Sequence, residues 1–167
     1  MIIWFTGQPG AGKTELAKLL KRELEANRSF FYKVHHIDGD DLRELTLNKD
    51  YSTVGRVKNV ETAQKIAHYL HNNEYDVIVS LVSPYIDQRE EFKKILKDNI
   101  LEVYVHTNDI RGRENYHVEG YQPPLSNFIS IDTTNKTPNE SLIVLKNEIQ
   151  SVCRPLATMA RWPQVVD

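Results

Sequence analysis

The chain has 167 residues, 40% of them hydrophobic and 26% charged, with a formal net charge of −2. That length suits one domain with a well-buried core, and the composition excludes a wholly disordered chain. With 21 basic against 23 acidic side chains there is no global positive field to hold nucleic acid or an anionic membrane.

Residues 2–5, Ile2-Ile3-Trp4-Phe5, form a short apolar run stopped by Thr6-Gly7, and read as a buried strand. They carry no basic leader, so no signal peptide is expected. Residues 13–26 place Leu16, Leu19, Leu20 and Leu24 at helical spacing with charges opposite. Residues 34–37 read as a second strand running into Asp38-Gly39-Asp40-Asp41, and 41–45 as a short helix. Residues 55–73 repeat apolar side chains every three to four positions, an amphipathic helix. Residues 77–82 are a nearly continuous β-rich run, the pattern of a strand covered on both faces. The run contains Ser80 and falls far short of the roughly 20 apolar residues that span a bilayer, so no transmembrane helix is expected.

Beyond Pro84 a charged helix is expected over 87–97, a strand over 101–105, a loop over 108–127 and a last strand over 128–131. Thr137-Pro138-Asn139-Glu140 starts a helix that runs to about residue 152: a capping threonine, proline at the first helical position, and a glutamate closing the capping box. The tail, residues 154–167, has no period; it covers the core or joins a second copy of the chain, and both readings stay open. Trp4 and Trp162 read as packing residues. The lone Cys153 allows no internal disulfide and no cysteine-rich metal site. A cytoplasmic setting and no membrane partner are the expectation.

Strands alternating with helices from end to end predict a three-layer α/β fold with a five-stranded parallel sheet. Gly7-Gln8-Pro9-Gly10-Ala11-Gly12-Lys13-Thr14 fits G-x-x-x-x-G-K-S/T between a strand and a helix, the pattern of a phosphate-binding loop. Its glycines allow tight turns and close approach, its N–H groups form an anion nest, Lys13 is expected on the β and γ phosphates, and Thr14 on Mg²⁺. ATP and Mg²⁺ are therefore the expected cofactors.

Asp38 follows the second strand, so it should face the same crevice. It suits holding metal or taking a proton from an acceptor hydroxyl; the bland alternative is a turn or helix cap, which also suits Asp40 and Asp41. His35 and His36 alternate on a strand, and His68 and His71 have no obvious acidic partner, so no histidine metal site is expected.

In order and spacing, the phosphate loop, Ile37-Asp38-Gly39-Asp40-Asp41-Leu42-Arg43, Asp50-Tyr51-Ser52, Arg56-x-x-Asn59 and Ser83-Pro84-Tyr85-x-x-x-Arg89 resemble the adenylylsulfate kinases. The resemblance covers residues 2–106. It implies a nucleoside-monophosphate-kinase-like P-loop fold and transfer of the γ-phosphate of ATP to the ribose 3′-hydroxyl of adenylyl sulfate. Carried over, Asp38 is the catalytic or metal-organising acid, and Asp40, Arg43, Arg56 and Asn59 bind the substrate. Tyr51 replaces a phenylalanine that stacks on the substrate adenine. Ser83 matches a serine that is modified in the family and is often given as its active-site residue, although direct in-line transfer needs no covalent intermediate.

There are departures from the family pattern. The family has asparagine at Asp41 and arginine at Ile86, and two more residues before the aromatic at Tyr51. Its long lid is much shorter here, over about 107–126, and only Tyr121-Gln122-Pro123-Pro124 echoes the lid's end. Arg111 and Arg113 stand in for lid cations over ATP, and Tyr116 for a second stacking aromatic. The whole chain, 1–167, is expected to be one kinase domain with a small-molecule acceptor, nucleic acid not being expected and a homodimer left open. The rival readings are a kinase for another acceptor, a nucleotide or a nucleic-acid end, and a nucleotide-binding module without turnover.

Overall fold

The structure, a computed structural model, describes residues 1–26 and 33–153. The readings of the tail and of Trp162 lie outside the described residues. Five parallel strands stand in the order β2-β3-β1-β4-β5: β1 Ile2–Thr6, β2 Val34–Asp38, β3 Asp76–Ser80, β4 Ile100–His106 and β5 Phe128–Asp132. The helices are α1 Lys13–Ala26, α2 Gly39–Thr46, α3 Thr53–Asn72, α4 Ile86–Leu96 and α5 Pro138–Cys153. This is the parallel α/β architecture the alternation predicts.

Strand alternation divides the apolar residues into two cores. Ile3, Phe5, Ile78, Val103, Val105, Ile129 and Ile131 pack with Leu16 and Leu20 of α1 and Leu142, Leu145 and Ile149 of α5. Ile2, Trp4, Ile37, Val77 and Val79 pack on the other face with Val60, Ala63 and Ala67 of α3 and Phe92 and Leu96 of α4. Burying each such side chain contributes about 1.5–3 kcal/mol, so the two cores together hold the sheet's rim in place. The functional residues stand on that rim, at the carboxyl ends of the strands.

Three element boundaries at this rim differ from expectation by two residues. β3 ends at Ser80, because its partner β2 ends opposite at Asp38; Leu81 and Val82 leave the sheet, with Leu81 N–H still donating to the Phe5 carbonyl. α2 begins at Gly39 because Asp38 caps it, accepting from Asp40 N–H. α3 begins at Thr53, two residues before Gly55, because the Ser52 side chain caps it. Gly55 is instead a packing glycine: a Cβ there would lie 2.2 Å from the Asp50 carbonyl oxygen. The capping box at α5 forms as predicted, with Glu140 Oε2 accepting from Thr137 N–H at 2.8 Å. Among the described residues no helix is long and apolar enough to cross a membrane.

Candidate active site

The β1–α1 loop turns over the carboxyl end of β1. Gly7, with φ +144°, lies so close to β4 that a Cβ would meet the Val105 carbonyl oxygen at 2.0 Å. That approach requires glycine. Lys13 closes the loop by donating to the Gln8 carbonyl at 2.8 Å, and it is only 8% exposed. Burial lowers its pKa to about 8, against the opposing pull of Asp38 and Asp40.

The first helical hydroxyl, Thr14 Oγ1, donates to Asp38 Oδ2 at 2.8 Å. The same oxygen accepts from Ser80 Oγ at 2.7 Å, and Oδ1 accepts from Asp40 N–H at 3.0 Å. Burial pushes Asp38 up, but the hydrogen bonds from Ser80, Thr14 and the Asp40 N–H outweigh it and hold the carboxyl below its ordinary range. Asp38 is therefore an ionised acceptor of hydrogen bonds and a weak base. It is also the helix cap that the bland reading of this turn foresees. Burial also lowers the pKa of His36, whose Nε2 lies 2.9 Å from Ser80 Oγ, with Asp38 pulling the other way.

A cleft of about 1110 Å³ runs from the phosphate loop past Asp38 to the α2–α3 corner. Of the predicted site residues, Pro9, Gly10, Gly12, Lys13, Thr14, Asp38, Asp40, Arg43, Tyr51, Arg56, Asn59, Ser83, Arg113 and Tyr116 line it. Arg56 and Asn59 do face one crevice, as their spacing requires. Asn59 is 4% exposed; its Nδ2 donates weakly to the Gly39 carbonyl at 3.4 Å and its Oδ1 is buried without a hydrogen-bond partner.

Arg43 Nη1 is engaged by the protein itself, donating to the Asn48 and Asp50 carbonyls at 3.1 and 2.8 Å, and the guanidinium lies 4.3 Å from the Tyr51 ring centre. Arg56 Nε donates to the Tyr51 carbonyl at 2.9 Å. The two arginines thus hold the 47–52 turn and its exposed tyrosine at the mouth of the cleft.

Gly7, Gln8, Ala11 and Arg111 stand behind the cleft wall. Arg111 is not free above the phosphate loop: it donates to the Gly10 and Thr133 carbonyls at 3.3 and 2.8 Å and pairs with Asp109 at 2.8 Å. Its guanidinium braces backbone of the phosphate loop and of the segment after β5. Arg113 packs 5.8 Å from the Tyr116 ring centre at the cleft edge.

Side chains and backbone from distant parts of the chain fasten the short 107–126 segment. Gln8 makes a paired amide contact with Val118, 3.0 Å to its carbonyl and 2.8 Å from its N–H. Tyr121 OH lies 3.0 Å from Thr6 Oγ1, and Gln122 N–H donates to the Pro84 carbonyl at 2.9 Å. Arg89, 3% exposed, donates to Glu102 at 2.7 Å, to the Gln122 carbonyl at 2.5 Å and to the Ser83 carbonyl. The available signal was Glu102, a lone charge in an apolar strand, which must be paired when buried.

Ser83 sits at φ +43° and is 2% exposed, its Oγ accepting from Trp4 Nε1 at 3.0 Å. Ser83→Ala is expected to leave turnover within a few-fold and to cost about 1–3 kcal/mol of stability, by orphaning the buried indole N–H. Turnover and denaturant unfolding check this; loss of activity with unchanged stability would instead make the hydroxyl a reacting group.

A phosphate-binding loop between strand and helix, with an acid on the neighbouring strand end and an acceptor-sized cleft beyond it, defines a P-loop phosphotransferase. The chain belongs to the adenylylsulphate kinase family, ATP-dependent kinases of adenylyl sulfate, whose family model matches residues 1–146. It is 30% identical to the adenylyl-sulfate kinase of Buchnera aphidicola, over 87% of this chain and 72% of that one. It is also 30% identical to a probable adenylyl-sulfate kinase of Pseudomonas aeruginosa, over 96% and 75% of the two chains. Its fold matches that of the Mycobacterium tuberculosis APS kinase CysC in complex with AMPPNP and APS, with a TM-score of 0.73 at 22% identity over 89% of this chain and 96% of the other.

Proposed function

We propose that this chain, acting as one kinase unit with residues 107–126 as its lid, moves the γ-phosphate of ATP in line onto the 3′-hydroxyl of adenylyl sulfate. The observation that carries this reading is the continuous cleft joining Lys13 and Thr14, through Asp38, to Tyr51, Arg56 and Asn59. Lys13 and the loop N–H groups neutralise the transferring phosphate, and Asp38 orients the attacking hydroxyl without needing to remove its proton early.

The Thr14 hydroxyl and Asp38 carboxylate, 2.8 Å apart, are hard oxygen donors of the kind Mg²⁺ accepts. When bound there, the ion would neutralise phosphate charge. A cytoplasmic site of action, where ATP is abundant, accords with this reading.

A kinase for a different acceptor keeps one supporting observation, the engagement of Arg43 Nη1 by two backbone carbonyls, which leaves fewer free donors for a sulfate. Turnover of ATP against adenylyl sulfate, mononucleotides and oligonucleotide ends separates the two readings; phosphorylation of an oligonucleotide end alone refutes ours.

The acceptor site itself is tested by Tyr51→Ala and Arg56→Lys. Both should weaken adenylyl sulfate binding, the first by about 1–3 kcal/mol if the ring stacks on the base, while ATP binding barely changes. Tyr51→Phe should be nearly silent. Calorimetry with each ligand separately is the check, and equal losses for both ligands would remove the acceptor assignment.

A further inference from the structure

The β2–β3 register sets Asp38 opposite Ser80 and His36 opposite Ile78. Alternation then sends His36, Asp38 and Ser80 to the sheet face that α1 covers, where Thr14 opens that helix. Ser80 Oγ is 2.7 Å from Asp38 Oδ2, and His36 Nε2 is 2.9 Å from Ser80 Oγ. A hydroxyl carries one proton, and an ionised carboxylate has none to give, so Ser80 donates to Asp38. Ser80 Oγ can then only accept from the imidazole, which fixes the ring proton on Nε2. The three side chains form one directed chain, His36 to Ser80 to Asp38.

We propose that His36 is a positioning residue for phosphoryl transfer, which fixes the Asp38 carboxylate through Ser80. Ser80 is 2% exposed although it lines the cleft, so little solvent competes with the ring for its hydroxyl. Oδ2 has two hydroxyl donors, but Thr14 is also the residue that the nucleotide side calls on. Ser80 is the donor with no second task, and it keeps the carboxylate turned to the cleft only while its own rotor is locked. His36 supplies that lock without lining the cleft. A carboxylate that orients a hydroxyl must stand within a fraction of an ångström of the productive pose, so a slackened Ser80 rotor should reach kcat and spare binding.

The inference rests on the role given to Asp38 above, and the test keeps the two apart. Steady-state kinetics with ATP and adenylyl sulfate would be measured for Asp38→Asn, His36→Leu, His36→Gln, Ser80→Ala and the His36→Leu/Ser80→Ala pair. Imidazole ¹⁵N shifts of the wild type would be recorded in parallel. His36→Leu should lower kcat about tenfold with both KM values within about twofold, a loss confined to the transition state. His36→Gln, which can present an N–H where Nε2 stands, should recover to within about threefold of wild type. Adding His36→Leu to Ser80→Ala should cost nothing further, since the two act as one unit. The neutral ring should be the Nε2–H tautomer.

An Nδ1–H tautomer, additive losses, or a glutamine no better than leucine would overturn the proposal. So would full kcat in His36→Leu while Asp38→Asn is inactive. If Asp38→Asn itself retains turnover, the role of Asp38 falls, and that result is read separately. Should His36→Leu fail to fold, the glutamine variant and the tautomer still decide.

Discussion

Lys13→Ala should lower turnover by about a hundredfold or more, because removing one preorganised cation from the transferring phosphate costs about 3–4 kcal/mol. The fold should survive, since the ammonium's bond within the protein is to the Gln8 carbonyl of the same loop and not to the core. The side chain carries a second, independent signature. Burial brings its pKa to about 8 in the free protein. A bound triphosphate adds negative charge beside it and raises that value. Between about pH 8 and 9 the free protein has partly lost the proton and the complex holds it, so nucleotide binding takes up protons there; near pH 7 both states are protonated and uptake is small. Calorimetry in buffers of different ionisation enthalpy would read this directly. Uptake that persists in Lys13→Ala, or near-normal turnover in that variant when folded, would take the ammonium away from the phosphate.

How far the sequence reaches is visible in the same residues. The phosphate loop was legible because each of its features has a local cause: glycines for close approach, a lysine and a hydroxyl at the helix start. The order of apolar runs was enough for a parallel sheet with two cores. What local pattern cannot carry is register. Ser80 looked like a small polar interruption in a strand, and His36 like a histidine with no metal to bind; only the pairing of Asp38 with Ser80 across β2 and β3 makes them neighbours of the acid. Arg43 and Arg111 read in the sequence as cations for bound anions. The sequence could not tell that backbone carbonyls already engage both side chains, those of Asn48 and Asp50 for Arg43 and those of Gly10 and Thr133 for Arg111. The 107–126 segment was the least legible part, because Gln8, Thr6 and Arg89 fasten it from segments far away in the chain.

Arg89→Leu is expected to cost about 3–5 kcal/mol, the largest stability loss of any single change considered, because it breaks a buried ion cluster and strands its partner. The Arg89 and Glu102 side chains are 2% and 1% exposed and 2.7 Å apart. Lys93 remains on the other Glu102 oxygen at 2.7 Å, itself 13% exposed, so the loss should fall toward the lower end of that range. The double variant Arg89→Leu/Glu102→Leu leaves no orphaned charge in this pair, and Lys93 keeps Glu90 at 2.6 Å, so stability should return most of the way. Activity should not return with it. Arg89 also donates to the carbonyls of Ser83 and Gln122, which ties the turn after β3 to the end of the 107–126 segment, and leucine cannot replace those bonds. Denaturant unfolding and turnover of wild type, single and double variants separate the two tasks. Recovery of both stability and turnover in the double variant would mean that the arginine serves only Glu102. A single-variant loss below about 1 kcal/mol, the scale of an exposed pair, would mean that the cluster is not desolvated enough to matter. Stability restored while turnover stays low is the outcome this geometry requires, since the same guanidinium neutralises a buried acid and ties the Gln122 end of the 107–126 segment to the turn after β3.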